Sequence, residues 1–488
     1  MSDTQALDRQ RPLTALHALA IVLAAAGAWL ASVSPSYPWI LLAGVLLAYL
    51  VLTRPYAFML VLIAILPWQG ALRFPTHSVT IVKLVGALLL VSVALATLLR
   101  DRRLRFTPVM GWAGLLCTVV TLSLLAGGLS GPSITETLRY WTLTLFLFLL
   151  VQLIDSREAF LRALRVLAIS AIVGAVWASV QFLDGSVARA SGPISDPNDF
   201  AYFLAAVLPF VAYLFMTEPR RRWLWGAGMA SLALGILGSS SRGAFVALAL
   251  TAVWAILTRR VSGVVVASAL AAVALMVVLA LGLSSAKTSQ NLQVRENGLS
   301  TSVSLRKVYW SAALRMSANH PLLGIGPGRF EAVSPGYVRN TPKLEREVAV
   351  NSTYLGVLSE DGVIALLLFL GFLVATWRQI LAATAGRGAR GDPAGIAPAG
   401  VAEGAAGDPR APGNWLRSAF LASFLIALTG GVFFSAQLST PLWLIAAFAS
   451  ALAFLPAGER SSVACATARA AARGGRGAEG PGALAPRA

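Results

Sequence analysis

Three arginines stand out because each sits among small or polar residues between long apolar runs. Arg189 lies in R-A-S-G-P-I-S-D-P-N-D-F, Arg242 in G-S-S-S-R-G-A and Arg306 in S-L-R-K-V-Y-W-S-A-A-L-R-M. A guanidinium flanked by Gly and Ser makes a pocket for an anion, because nothing bulky holds the ligand's oxygens away. At Arg242 an apolar segment begins at the same point, so the N–H groups of its first turn would aim at the same anion. A snorkelling arginine at a membrane edge is the alternative. In the first motif, Asp196-Pro197-Asn198-Asp199 reads as the start of a helix. Pro197 disfavours helix in the residue before it, and Asn198 or Asp199 can cap the exposed N–H groups. Arg306, Trp310 and Leu314 fall at i, i+4 and i+8, along one side of a helix. That spacing suits an amphipathic helix lying on a membrane surface, and equally a solvated face of an ordinary loop helix.

Two further segments carry chemistry-bearing residues. H-P-L-L-G-I-G-P-G-R-F begins at His320, and its glycines suit a tight, backbone-exposed turn open to close ligand approach. N-S-T-Y-L-G-V-L-S-E-D-G, from Asn351, places Glu360-Asp361 inside an apolar run, about 13 Å along a helix from Asn351. An ionisable residue at such depth asks for a partner. An arginine of the cluster is the obvious one, either as part of a site or as a tie that positions helices. The two cysteines, Cys117 and Cys465, offer neither a disulfide framework nor a metal site.

The elements that must position these residues follow from composition. Hydrophobic residues make up 57% of the chain and charged residues 12%, with mean hydropathy +0.73. A soluble core of this size would need more surface charge. The sequence therefore predicts an all-α polytopic membrane protein of about 12 to 14 transmembrane helices. The expected spans are 13–32, 38–53, 56–72, 80–99, 108–127, 135–154, 164–184, 198–217, 223–238, 243–258, 261–283, 352–376, 418–437 and 439–456. The first is read as a retained helix rather than a cleaved signal. The net charge of +18 reflects basic residues in short connections, not a nucleic-acid surface.

Arginine distribution sets the orientation. With the N-terminus in the cytoplasm, the inside connections hold Arg54; Arg100, Arg102, Arg103 and Arg105; Arg157, Arg162 and Arg165; Arg220, Arg221 and Arg222; Arg259 and Arg260; and Arg378, Arg387 and Arg390. The outside connections before residue 284 hold Arg73, Arg189 and Arg242, with Lys83 and Arg139 just inside span ends. The chain then divides into a first bundle (1–283), an extracytoplasmic loop with short helices (284–350), a spanning helix (351–376), a flexible cytoplasmic loop (377–417), two more spans (418–456) and a basic cytoplasmic tail (457–488). The Ala/Gly/Pro/Arg-rich loop and tail cannot bury a core.

Taken as four motifs, with W-x-x-A-L-x-M of the Arg306 segment and H-P-L-L-G-I-G-P-G-x-F read as one, these segments in this order resemble those of the O-antigen ligase and polysaccharide polymerase superfamily, over roughly residues 135–376. The resemblance implies a cofactor-free, metal-independent glycosyltransferase at the outer face of the bacterial inner membrane, with both termini cytoplasmic. Its donor would be a glycan on undecaprenyl pyrophosphate. Its acceptor would be another lipid-linked glycan for a polymerase, or lipid A–core for a ligase. Membrane lipid and a chain-length regulator are further expected partners, and nucleic acid is not one. By position, Arg189, Arg242 and Arg306 match the arginines that hold the pyrophosphate, with Asn198, Asn351 and Tyr354 as positioning residues. Ligases of the family carry His in H-N-x-Y-L, where this chain has Asn351, which cannot act as a general base near neutral pH. His320, Glu345, Glu347 and Glu360 are the substitutes. The departure favours a polymerase. A transporter is the rival from another class, but the marked residues share one face, whereas alternating access needs a midplane site.

Overall fold

A computed structural model describes residues 37–68, 81–100, 103–194, 196–259, 299–338, 350–384, 415–434 and 440–455. The expected spans 13–32 and 261–283, the tail from 457 and the candidates Glu345 and Glu347 lie outside the described residues. Among the described residues all regular structure is helical. We number the helices α1 (Tyr37–Thr53), α2 (Pro55–Ile65), α3 (Ile81–Arg100), α4 (Pro108–Gly127), α5 (Gly131–Leu153), α6 (Arg157–Leu183), α7 (Pro197–Thr217), α8 (Arg222–Ser239) and α9 (Arg242–Leu257). They continue with α10 (Leu299–Asn319), α11 (Phe330–Val333), α12 (Thr353–Glu360), α13 (Gly362–Ala383), α14 (Trp415–Gly430) and α15 (Thr440–Leu452).

By length and composition, α4, α5, α6, α7 and α13 can each cross a membrane. Helices α9, α14 and α15 are apolar but shorter, as is Val85–Leu98 within α3. The expected spans at 38–53 and 56–72 form a bent pair, Gly44–Thr53 and Pro55–Trp68, that turns by 109°. Pro55 explains the break at Arg54, because Pro lacks the N–H needed to continue a helix and fits its first turn. The expected span 352–376 also shifts. Its first residues form the separate helix α12, and the apolar helix runs from Gly362 to Ala383.

Short capped links make the helices alternate. Ser130 and Ser156 each accept a backbone N–H at the start of α5 and α6, from Ser133 and Ala159. Two ties hold the ends together on one face of the bundle. Gln152 and Arg105 exchange hydrogen bonds (Arg105 N to Gln152 Oε1 at 3.0 Å, Gln152 Nε2 to Arg105 O at 2.7 Å), and Arg165 Nε donates to Glu218 Oε1 at 2.6 Å. This face carries Arg103, Arg105, Arg157, Arg162, Arg165, Arg220, Arg221, Arg222 and Arg259, and is called the basic face below. The opposite face collects the end of α4, the start of α5, the end of α6, the start of α7, the end of α8 and the start of α9.

Helix α7 is central. It packs on α8, α14, α6 and α9 and buries Phe200, Tyr202, Phe203 and Phe210. Helix α15 is enclosed along its length, with Trp443 and Phe448 fully buried. Residues 299–338, together with Val350, add a second, smaller core: Tyr309, Ala313, Met316, Ile325, Phe330 and Val350. Helix α10 packs on the protein by a side other than Arg306–Trp310–Leu314. Its buried stripe is Tyr309, Ala312, Ala313, Met316 and Ser317, while Leu314 is 54% exposed and Trp310 donates from Nε1 to Val350 O at 3.0 Å. The alternation of Tyr, Ala, Ala and Met at i, i+3, i+4 and i+7 was the stronger helical signal.

Candidate functional site

The loop from α6 to α7 brings Arg189 against the end of α8. Ala190 N donates to Gly238 O at 3.0 Å, and Arg189 Nε donates to Ser239 O at 2.8 Å. The other end of the guanidinium is held by Asn198, whose Oδ1 accepts from Arg189 NH2 at 2.7 Å. Asn198 is available for this because it is not the helix cap. Asp196 caps α7, its Oδ1 accepting from Asn198 N at 2.7 Å and Asp199 N at 3.0 Å. A carboxylate at this position also suits the helix dipole.

Three residues beyond Ser239, α9 begins with Arg242. The turn is made by Ser240 in the left-handed conformation (φ 50°), which ends α8 and lets Ser241 and Arg242 start the next helix. A non-glycine residue there is uncommon and marks a constrained turn. Gly243 does not open the site to a ligand. A Cβ there would meet Phe433 and Phe434, at 2.9 and 2.7 Å, so the glycine lets α9 press on the end of α14.

The same turn after α14 receives the Asn351 motif. Thr353 N donates to Gly431 O and Thr353 Oγ1 to Phe434 O, both at 2.8 Å. Asn351, two residues earlier, has φ 51°. Asn, Asp and His tolerate this region better than most residues, which gives the Asn351 position a backbone reason for its residue type. Tyr354 points to packing: its OH donates to Leu428 O at 3.0 Å.

Arg306 joins this group from α10. Its guanidinium is half-buried, and burial first, then the charge of Arg242, lowers its pKa from the ordinary arginine range. Arg242 and Arg306, 64 positions apart in sequence, thus lie close enough to repel. Arg189 is tied to Ser239, three residues before Arg242, so the α8–α9 turn carries both of these arginines on the face opposite the basic one.

The remaining candidates fall elsewhere. His320 is exposed, one residue past the end of α10, so it lies about 21 Å along the helix axis from Arg306. Glu360 is buried, and its partner is not an arginine. Its Oε1 accepts from Phe330 N at 2.9 Å, and the nearby amides of Gly328 and Arg329 favour the ionised carboxylate. It lies in α12, ahead of the spanning helix. Burial raises its pKa to about 7 against the pull of these amides.

Glu360 is one tooth of a backbone zipper. Ile325 N donates to Ser359 O at 3.1 Å, Gly326 N to Glu360 O at 2.9 Å and Val363 N to Pro321 O at 2.9 Å. Ser123 Oγ, near the end of α4, lies 2.6 Å from Leu323 O and 3.0 Å from Glu360 O. Gly324, Gly326 and Gly328 all have positive φ, and a Cβ at each would press on Glu360, Arg329 or Pro132. The close approach these glycines permit is therefore by the protein's own chain, not by a ligand. Among the described residues no His/Cys/Asp/Glu group is arranged to hold a metal.

Residues 227–370 match the family described as O-antigen ligase. The match spans three of the four motifs and stops short of the Arg189 loop. This match supports the resemblance to the O-antigen ligase superfamily over that stretch. No curated protein matches the chain.

Proposed function

We propose that this chain polymerises undecaprenyl-pyrophosphate-linked repeat units of an O-antigen or exopolysaccharide at the outer face of the inner membrane, with both termini in the cytoplasm. The observation that carries this reading is the convergence of Arg242 and Arg306 beside an Arg189 tethered at both ends of its guanidinium. Two guanidiniums that repel each other gain most from an anion placed between them. A pyrophosphate supplies that anion, and forked guanidinium contacts strengthen as negative charge builds on it.

In the proposed step an acceptor hydroxyl oxygen bonds to the donor's anomeric carbon as the bond from that carbon to the phosphate oxygen breaks. The electron pair leaves with the pyrophosphate, and the hydroxyl proton passes to the departing phosphate or to water. Neither Asn351, His320 nor the amide-bound Glu360 is needed as a base. Glu345 and Glu347 remain alternatives for that role. Lipid-linked glycan, membrane lipid and a chain-length regulator are the proposed partners.

The family match favours a second reading, transfer of the glycan to lipid A–core. Purified protein in detergent, given lipid-linked oligosaccharide with and without lipid A–core, separates them. Longer lipid-linked glycans support the polymerase, and glycan on lipid A–core supports the ligase. An unchanged glycan in both mixtures overturns the enzymatic reading.

A further inference from the structure

We infer that the basic face holds a binding site for the phosphate headgroup of an anionic phospholipid. Arg165, Glu218, Pro219, Arg220 and Arg221 line a cavity of about 360 Å³ where α6 meets the tight turn between α7 and α8. Its floor is fixed. Arg165 Nε donates to Glu218 Oε1 at 2.6 Å, and Trp225 Nε1 donates to Glu218 Oε2 at 3.2 Å. Both carboxylate oxygens are thereby engaged, and Trp225 itself is fully buried. Three guanidiniums then face one carboxylate, so the cavity keeps a net positive charge.

Arg220 and Arg221 are exposed and make no ion pair among the described residues. Arg222 turns instead onto the Phe215 ring, 4.7 Å from its centroid, leaving its two neighbours at the cavity. A phosphate accepts from forked guanidiniums at a cavity of this size.

The surroundings point to a lipid rather than a soluble phosphate. Trp223 is 77% exposed and Met216 is 44% exposed, flanking the cavity at the ends of α8 and α7. Exposed Trp beside arginine at a helix end is the arrangement of a membrane interface, and the apolar surface there suits acyl chains. Orientation of the helices requires only the count of positive charges. It does not require a cavity with a braced floor, so the site is a feature beyond topology.

The test uses the full chain in detergent, with phosphatidylglycerol, phosphatidylcholine or inorganic phosphate added, and counts retained lipid by native mass spectrometry. Phosphatidylglycerol should be retained preferentially. The pair Arg220→Gln and Arg221→Gln should weaken that retention by about 5-fold for each arginine removed. These residues are exposed, so the pair should elute as the wild type does on a sizing column. The pair Arg220→Lys and Arg221→Lys should recover retention in part. Equal retention of the two lipids, or retention unchanged in the Gln pair, would overturn the site. Full displacement of phosphatidylglycerol by millimolar inorganic phosphate would overturn the lipid assignment in favour of a soluble anion.

Discussion

Asn198 offers the sharpest test of whether Arg189 presents its charge to an anion. Its Oδ1 accepts from Arg189 NH2 at 2.7 Å, while Nε is held separately by Ser239 O. Asn198→Ala removes one of two tethers, and a hydrogen bond to a charged group contributes about 1.5–3 kcal/mol. The guanidinium remains in place by the other tether, so the loss in turnover should be about 10- to 100-fold. Asn198→Asp keeps an acceptor at the same position and holds Arg189 more firmly, but it adds a negative charge beside the proposed phosphate. At a separation of ~6 Å and an effective dielectric of ~20, that repulsion is about 2.8 kcal/mol, roughly 100-fold. The aspartate variant should therefore be at least as impaired as the alanine variant, and the loss should appear in the KM for donor and shrink at high salt. The assay is consumption of lipid-linked oligosaccharide by purified protein. If Asn198→Asp matches or exceeds the wild type, Arg189 acts only as a strut between α7 and α8.

Arg242→Lys and Arg306→Lys keep the charge but lose the fork. Each should slow transfer by about 100- to 1000-fold, as loss of a transition-state donor does, and Asn351→Ala should be milder. Gels of glycan length that show the reverse order would move the chemistry to the Asn351 motif. At Glu360, the folded state binds the proton more tightly than the unfolded chain, whose carboxyl titrates near ~4.3. Asp361 is also pushed up, by burial and then by the charge of Glu360. Stability should therefore fall as pH rises from about 4.3 toward 7, and the unfolding temperature in detergent should be higher at pH 5 than at pH 8. Glu360→Gln should reduce that difference to the share Asp361 carries, while Glu360→Ala should cost about 1–3 kcal/mol for the Phe330 amide left unpaired. Orientation is checked by cysteine labelling, and the position matters: Ser334 is buried, whereas Ala332 is exposed. Ala332→Cys, in a background lacking Cys117 and Cys465, should react with an impermeant thiol reagent in intact spheroplasts, and labelling only after lysis would reverse the topology.

The helices were legible because they depend on local signals. Long apolar runs make α4 to α7, and an arginine among Ser and Gly is conspicuous between them. What sequence could not show is which neighbour each polar group chooses. Asp196, Asn198 and Asp199 all look like caps, and only geometry assigns the cap to Asp196 and the guanidinium to Asn198. The glycines at 324, 326 and 328 looked like room for a ligand, yet the space is filled by the protein's own chain, at Glu360, Arg329 and Pro132. The packed side of α10 could not be chosen from spacing, because Arg306, Trp310 and Leu314 share their spacing with the buried stripe, which is rotated from them by one residue at Tyr309 and Ala313. Glu360 looked like the partner of an arginine because backbone amides are invisible to a reading of side chains.

The four motifs thus divide by the work they do. The Arg189 and Arg242 motifs present guanidiniums, each on a turn between helices where the backbone is fixed by its own hydrogen bonds. The His320 and Asn351 motifs mostly hold each other. Residues 321–330 zip onto 359–363 and dock on Ser123 of α4, which fixes one end of α10. Trp310 binds Val350 O from the middle of the helix, one turn from Arg306. Helix α10 is a lever anchored at two points, and the orientation of Arg306 toward Arg242 depends on both. Misplacement of a catalytic contact by about 1 Å can cost 100-fold in rate, so under the proposed function loosening the zipper should slow transfer without touching the substrate. That accounts for a carboxylate and three glycines with positive φ lying far from the arginines yet within the same run of motifs.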